Sequence, residues 1–110
     1  MQETILDRGR FRTPHASRYL QQLCKHFAHK VEASFDATSG VIALPSGPVR
    51  LTAQEGELVA TVMAPDAEGL ARSRGIIDRH LERFAFREDF RRMDWSGTDA
   101  GTDAGGGRAA

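Results

Sequence analysis

Residues 13–36 read TPHASRYLQQLCKHFAHKVEASFD, and within this stretch the apolar side chains change from a helical period to a strand period. Apolar residues first recur at i, i+3, i+4 and i+7 spacing, which predicts an amphipathic helix over residues 14–30 with Thr13 as its N-cap. From Val31 onward apolar and polar residues alternate, as they do on a half-buried strand. The stretch therefore predicts a helix that leads directly into a sheet.

Four short strands are predicted after the first helix, because the apolar segments that follow are separated by turn residues. The turns lie at residues 38–40, 45–48 and 55–56, and each contains glycine. Turns this short join antiparallel neighbours, so the strands form a meander. The segment RGRFRT at residues 8–13 also alternates and predicts one further, short edge strand.

A second helix follows the last of these strands, with Asp66 as its predicted N-cap. Its apolar stripe is Leu70, Ile77, Leu81, Phe84 and, by drift of the period, Glu88. Three further aromatic residues, Phe86, Phe90 and Trp95, are expected to fold back onto the core. An apolar sheet face needs a cover, and no second sheet is predicted, so both helices are expected on that face.

The predicted fold class is α+β, with a (β)-α-β4-α order. It is an antiparallel meander of four to five strands with two helices packed on one face, a helix-on-sheet arrangement similar to the TATA-binding-protein type, and that similarity implies no shared function. We expect a flexible N-terminus at residues 1–7, a single domain at 8–95 and a disordered Gly/Ala/Asp tail at 96–110, where GTDA occurs twice before GGG.

The charge of the chain is balanced overall but segregated by segment. The 110 residues contain 15 Lys+Arg and 15 Asp+Glu, which argues against a nucleic-acid binder held by bulk positive charge. The formal net charge is +4 for residues 1–30, −5 for 31–71, +3 for 72–92 and −2 for 93–110. The two helical segments are therefore basic, and the sheet segment and the tail are acidic.

No segment predicts membrane insertion or export. The longest apolar runs are far shorter than the ~20 residues of a membrane helix, and residues 1–12 lack the apolar core of a signal peptide. We therefore expect a cytoplasmic protein. The single cysteine, Cys24, excludes an internal disulfide and a metal site built from cysteines alone.

Three histidines are candidate ligand or metal residues. Cys24, His26 and His29 have the spacing of a metal cluster, but Cys24 lies in the apolar stripe, about 160° around the helix from His26. His26 and His29 lie one turn apart and could share a ligand, or they belong to a solvated polar face. His80 lies about 60° from Ile77, so it is either a core-edge histidine bonded to the backbone or sheet or a ligand residue. Like His26 and His29, it is a candidate metal residue.

The second helix also carries a predicted column of arginines at i, i+4 spacing, which are Arg79, Arg83, Arg87 and Arg91. Such a column is either a solvated face with local ion pairs or a docking edge for carboxylates, phosphates or an acidic partner. If the first helix packs against this margin, Tyr19, His26 and His80 converge. The predicted ligand-binding residues are Tyr19, His26, Lys30, His80, Arg83 and Arg87.

Two segments of the chain resemble a known family. Residues 13–36 and HLERFAFREDFRRMDW at 80–95 resemble the opening and closing motifs of the uncharacterised bacterial domain-of-unknown-function family twenty-two eighteen, over about residues 8–95. Relatives in that family occur beside or fused to siderophore-interacting flavin reductases. The resemblance therefore implies a role near ferric-siderophore handling with such a reductase as partner, and it implies no activity and no catalytic residue.

Three functional hypotheses follow from these patterns. The first is an accessory module that binds an anionic ligand, a metal complex or a partner at the His/Arg edge. The second is a structural or dimerisation domain that pairs with another copy through its sheet edge or open sheet face. The third is a small enzyme with His26 or His80 as general acid/base. It is the least favoured, because the sequence contains no recognised catalytic motif and identifies no cofactor.

Overall fold

The computed structural model describes residues 4–98 and contains a six-stranded antiparallel sheet with two helices. The elements in chain order are β1 (Ile5–Arg12), α1 (Ala16–Phe27), β2 (Ala33–Phe35), β3 (Ser39–Leu44), β4 (Gly47–Gln54), β5 (Glu57–Ala64), α2 (Ala67–Phe84), a 3-10 helix (Phe86–Glu88) and β6 (Asp94–Thr98). The predicted α+β class and the meander of β2 to β5 are confirmed.

The sheet has more strands than predicted, because both ends of the chain join it. Its order is β2-β3-β4-β5-β1-β6. β1 pairs with β5 along its whole length, from Ile5 opposite Ala64 to Arg12 opposite Glu57. β6 then pairs with the other side of β1, so the predicted edge strand lies inside the sheet and β6 was missed.

Both helices pack on one face of the sheet, as predicted. The fully buried side chains at this interface include Leu20 and Leu23 of α1, Leu70, Ile77 and Leu81 of α2, and Ile42, Leu51 and Leu58 of the sheet. Cys24 is buried among them, and burial raises the pKa of its thiol to about 11. A side chain at Gly40 would place its Cβ 2.7 Å from Cys24 Sγ, so this glycine lets α1 approach β3 closely.

The N-cap prediction is right for α2 and wrong for α1. Asp66 accepts the N–H of Gly69 at 2.8 Å. Helix α1 begins at Ala16 with His15 at the cap position. Thr13 lies two residues before the cap position, and its hydroxyl oxygen accepts the N–H of His15 at 3.0 Å in a turn before the helix. The α1 helix also ends at Phe27, earlier than the predicted residue 30.

Two predicted boundaries differ from the structure. Strand β1 begins at Ile5, before the expected boundary at residue 8, and Asp7 is buried with its carboxylate 2.7 Å from Nη1 of Arg74. Residues 96–98 belong to β6, and the rest of the predicted disordered tail lies outside the described residues. Within residues 4–98, no helix is long and apolar enough to cross a membrane.

Candidate functional site

Helices α1 and α2 bring two histidines into contact at their common margin. His26 lies in the last turn of α1 and His80 in the C-terminal half of α2. Their ring centroids are 4.7 Å apart, with the ring planes inclined at 53°. Both side chains are half-buried. The predicted convergence of these two residues is therefore present, and we call them the histidine pair.

Aromatic side chains enclose the histidine pair. The ring of Phe27 lies 4.7 Å from that of His80 and 5.1 Å from that of His26. The ring of Phe84 lies 6.1 Å from His26 and 6.5 Å from His80. This apolar contact shields the imidazoles on one side and leaves them partly open to solvent on the other.

The surroundings of His26 favour its neutral form. Burial, followed by the electrostatic influence of His80, Lys30, His29 and Arg83, lowers the pKa of His26 below its usual 6.5. Nδ1 of His80 lies 2.7 Å from the carbonyl oxygen of Ile76, and because a carbonyl only accepts, this nitrogen donates. At neutral pH, the site therefore combines a neutral His26 imidazole with Lys30 and Arg83 as flanking cations.

The sequence named His26, His29 and His80 as candidate metal residues without grouping the three into one site. No group of three or more His, Cys, Asp or Glu side chains within residues 4–98 is arranged to hold a metal ion. His29 is exposed and lies in the turn that follows α1. The histidine pair could therefore supply two donor nitrogens, and a bound metal would need its other ligands from elsewhere.

The predicted arginine column is interrupted where α2 ends at Phe84. The N–H of Ala85 closes the helix on the carbonyl of Leu81 at 2.7 Å, and the chain then forms the short 3-10 helix. Arg87 consequently leaves the helical column and places its guanidinium carbon 5.5 Å from the centroid of the Phe86 ring. Arg83 stays beside the histidine pair, whereas Arg87 lies on a different surface.

That second surface is a cleft of about 200 Å³ between α1 and the 3-10 helix. Arg18 and Gln22 line it from α1, and Phe84, Phe86 and Arg87 line it from the other side. Phe84 thus contacts both the histidine pair and the cleft. The two candidate surfaces are neighbours on one edge of the molecule.

A carboxylate network forms the floor of this cleft. Oε2 of Glu88 accepts the hydroxyl of Tyr19 at 2.5 Å and the hydroxyl of Thr13 at 3.0 Å. Burial, and then the bond to Glu88 and its charge, raise the pKa of Tyr19 to about 12. Tyr19 therefore belongs to the cleft floor and does not join the histidine pair as the sequence suggested.

Glu88 is the residue of this site that the sequence analysis missed. Its position continued the apolar stripe of α2, although the helix ends four residues earlier. A carboxylate at a predicted core position was the available signal, because a buried charge requires hydrogen-bond partners.

Comparison with known proteins places the chain in a family. A family model described as an uncharacterised protein conserved in bacteria (DUF2218) matches residues 8–96. The chain belongs to this family. A similar solved structure is the NMR structure of PA4090 from Pseudomonas aeruginosa, with a TM-score of 0.71 and 28% sequence identity, covering 84% of this chain and 95% of that one. No curated protein matches the chain.

The DUF2218 match confirms the family resemblance and covers both candidate surfaces. Four of the six predicted ligand-binding residues lie together in the fold: His26, His80, Lys30 and Arg83. Lys30 and Arg83 belong to this group because their charges act on His26. It places Tyr19 and Arg87 at the cleft.

Proposed function

We propose that this DUF2218 protein is a small, non-catalytic cytoplasmic module that binds an anionic metal complex at the histidine pair. The observation behind the proposal is the contact between two imidazoles from different helices, with ring centroids 4.7 Å apart. Lys30 and Arg83 supply positive charge close to His26.

The combination of two imidazoles and flanking cations fits a negatively charged chelate better than a bare cation. A bare divalent ion would meet two nitrogen ligands and a repulsive field, and tight zinc sites use three or four protein ligands. A chelate brings its own ligands and its own negative charge. The imidazoles can then fill open positions on its metal, while Lys30 and Arg83 attract the anionic shell.

Ferric siderophores are the class of complex that we propose for this module. The family resemblance implies this class through the company of siderophore-interacting flavin reductases, which are the proposed partners. Ferric iron held by oxygen donors in an anionic chelate has the charge that the edge would attract. A chelator that leaves iron positions open would also engage the imidazoles directly.

The test uses the hydroxide-bound form of gallium(III) nitrilotriacetate, added to 15N-labelled protein. This chelate is diamagnetic, keeps exchangeable metal positions and is anionic, because its three carboxylates balance the gallium charge and the hydroxide adds a negative charge. Amide shifts are expected around His26 and His80. Binding should weaken by about tenfold or more in His26→Gln and in His80→Gln. His29→Gln, at the exposed histidine in the turn that follows α1, is the matched control and should bind normally. Absence of shifts, or undiminished binding by His26→Gln, would overturn the proposal. A gallium-loaded siderophore in the same series tests the ligand class.

Dimerisation is a second candidate function, favoured by an exposed patch at the β2 edge. Two of the large apolar side chains that are exposed in the described residues, Phe35 at 36% and Val41 at 38%, line a groove there. Asp36 and Arg50 line the same groove. A second copy related by a two-fold axis could pair each Asp36 with the other Arg50.

Light scattering across a concentration series tests the dimer. The expected result is a dimer whose mass falls to that of a monomer in Val41→Glu or Arg50→Glu. Arg79→Glu, a charge reversal on an exposed part of α2, is the control. A monomeric wild-type protein at high concentration contradicts this candidate.

A further inference from the structure

The cleft beside the histidine pair has three features that together indicate the chemical class of a ligand. It has a cationic rim, an aromatic wall and a floor at which the Glu88 carboxylate already accepts two hydrogen bonds. We infer that this cleft binds a small aromatic carboxylate, a single planar ring bearing one carboxylate group. This site is separate from the histidine pair and does not depend on the function proposed for it.

The rim supplies two guanidinium groups without carboxylate partners. Arg18 and Arg87 are both exposed, and within the described part of the chain neither forms an ion pair. The planar fork of a guanidinium matches a carboxylate with two parallel hydrogen bonds. The side-chain amide of Gln22, at the same rim, can add a further donor.

The wall supplies apolar surface of a shape that suits an aromatic ring. Phe86 is 66% exposed, the highest exposure among the large apolar side chains of the described residues. Such exposure costs free energy that a bound ring would recover. Phe84 lies deeper in the same cleft, so a ring that enters it contacts both phenylalanines.

The floor keeps the cleft positive. Among residues 4–98, Glu88 is the only acidic residue that lines it, and its Oε2 already accepts hydrogen bonds from the hydroxyls of Tyr19 and Thr13. The Glu88 carboxylate therefore interacts with the protein interior, and the positive charges of Arg18 and Arg87 exceed its single negative charge. An anion can enter without displacing an internal salt bridge.

The volume limits the size of the ligand. Sites for drug-sized molecules usually measure about 300–1,000 Å³, whereas this cleft measures about 200 Å³. A single ring with a carboxylate fits that space, and a fused polycycle or a nucleotide does not. Benzoate is therefore the appropriate probe.

The experiment titrates 15N-labelled wild-type protein with benzoate, with acetate and with benzyl alcohol. Benzoate should shift the amides of Arg18, Gln22 and Phe86, whereas the carboxylate alone and the ring alone should each bind about tenfold more weakly or worse. Arg18→Gln and Arg87→Gln should each weaken benzoate binding about tenfold or more. Arg79→Gln is the matched control, an exposed arginine of α2 away from the cleft, and should leave it unchanged.

Two further variants make the outcome decisive. Phe86→Ser should weaken the binding of benzoate and leave that of acetate unchanged, because it removes only the wall. His26→Gln should keep benzoate binding, so that failure at the histidine pair and failure at the cleft remain distinguishable. Equal binding of acetate and benzoate, or benzoate binding unchanged in both arginine variants, would overturn the inference. So would the absence of shifts with benzoate in the folded wild-type protein.

Discussion

Replacing Tyr19 by phenylalanine removes one hydroxyl from the cleft floor and leaves the ring in place. The ring is buried and stacked on Phe11, with centroids 5.7 Å apart. The lost bond, 2.5 Å long, runs from the hydroxyl to the Glu88 carboxylate. A hydrogen bond to a charged group contributes about 1.5–3 kcal/mol. Because Thr13 still donates to Glu88, we expect Tyr19→Phe to lose about 2 kcal/mol of unfolding free energy.

Urea unfolding measures this loss directly. Trp95 is the only tryptophan, so its fluorescence follows β6, and circular dichroism follows the helices. Coincident curves from the two signals justify a two-state free energy. The slope against urea should stay that of the wild type, and only the midpoint should fall. Thr61→Val, which deletes a hydroxyl from the uncovered sheet face, is the control and should stay within about 0.5 kcal/mol of the wild type.

The same hydroxyl can be titrated alone, because Tyr19 is the only tyrosine. Its pKa should be about 12 in the folded protein, against the ordinary value of 10.0 in the unfolded chain. Between these values the unfolded chain releases the proton first. The folded state should therefore lose stability as the pH rises from 10 toward 12, and Tyr19→Phe should lack this contribution. A loss below about 0.5 kcal/mol together with ordinary phenol ionisation would refute the buried bond to Glu88.

The remaining predictions concern the histidine pair, the β6 attachment and one turn. The pKa of His26 is lowered below 6.5, so the unfolding free energy should fall as the pH drops through that value. Urea titrations at several pH values should show a weaker pH dependence of the unfolding free energy in His26→Gln. An equally steep pH dependence in that variant would contradict this prediction. Asp78 accepts the backbone N–H of residue 93 and the indole N–H of Trp95, each at 2.9 Å. Asp78→Asn should therefore lower the unfolding free energy by about 1–3 kcal/mol in the urea assay. It should also make the Trp95 side chain more mobile, which its fluorescence would report. Gly47 has φ +146 and a Cβ there would lie 1.8 Å from a carbonyl oxygen of β5, so Gly47→Ala should cost roughly 2–4 kcal/mol. Gly56→Ala, also at positive φ but with nothing within 4 Å, should cost clearly less in the same unfolding assay.

Local periodicity predicts the two helices and the four meander strands, but not where the chain ends join the sheet. The hairpins from β2 to β5 depend on turn residues that lie next to the paired strands. The pairing of these strands can therefore be predicted from the local sequence. β6 pairs with β1 across more than eighty residues, and one of the contacts that support this pairing joins Gly9 and Trp95. Gly9 leaves space that the Trp95 ring fills, since a Cβ at Gly9 would lie 2.7 Å from that ring. Neither residue predicts the other without the fold.

The histidine pair shows why a single apolar stripe underestimates what a helix buries. On α1, His26 lies far around the helix from Cys24, which indicates a solvated position if the sheet is the only neighbour. In the fold α1 has two neighbours, because α2 packs on the same sheet face and contacts its side. His26 is then half-buried against His80. When two helices pack side by side on a sheet, polar residues on the flank of one helix that faces the other can therefore form a binding site. The sequence predicted the position of His80 correctly, because it lies at the margin of the apolar stripe. It did not predict the position of Glu88, because that position depends on where α2 ends.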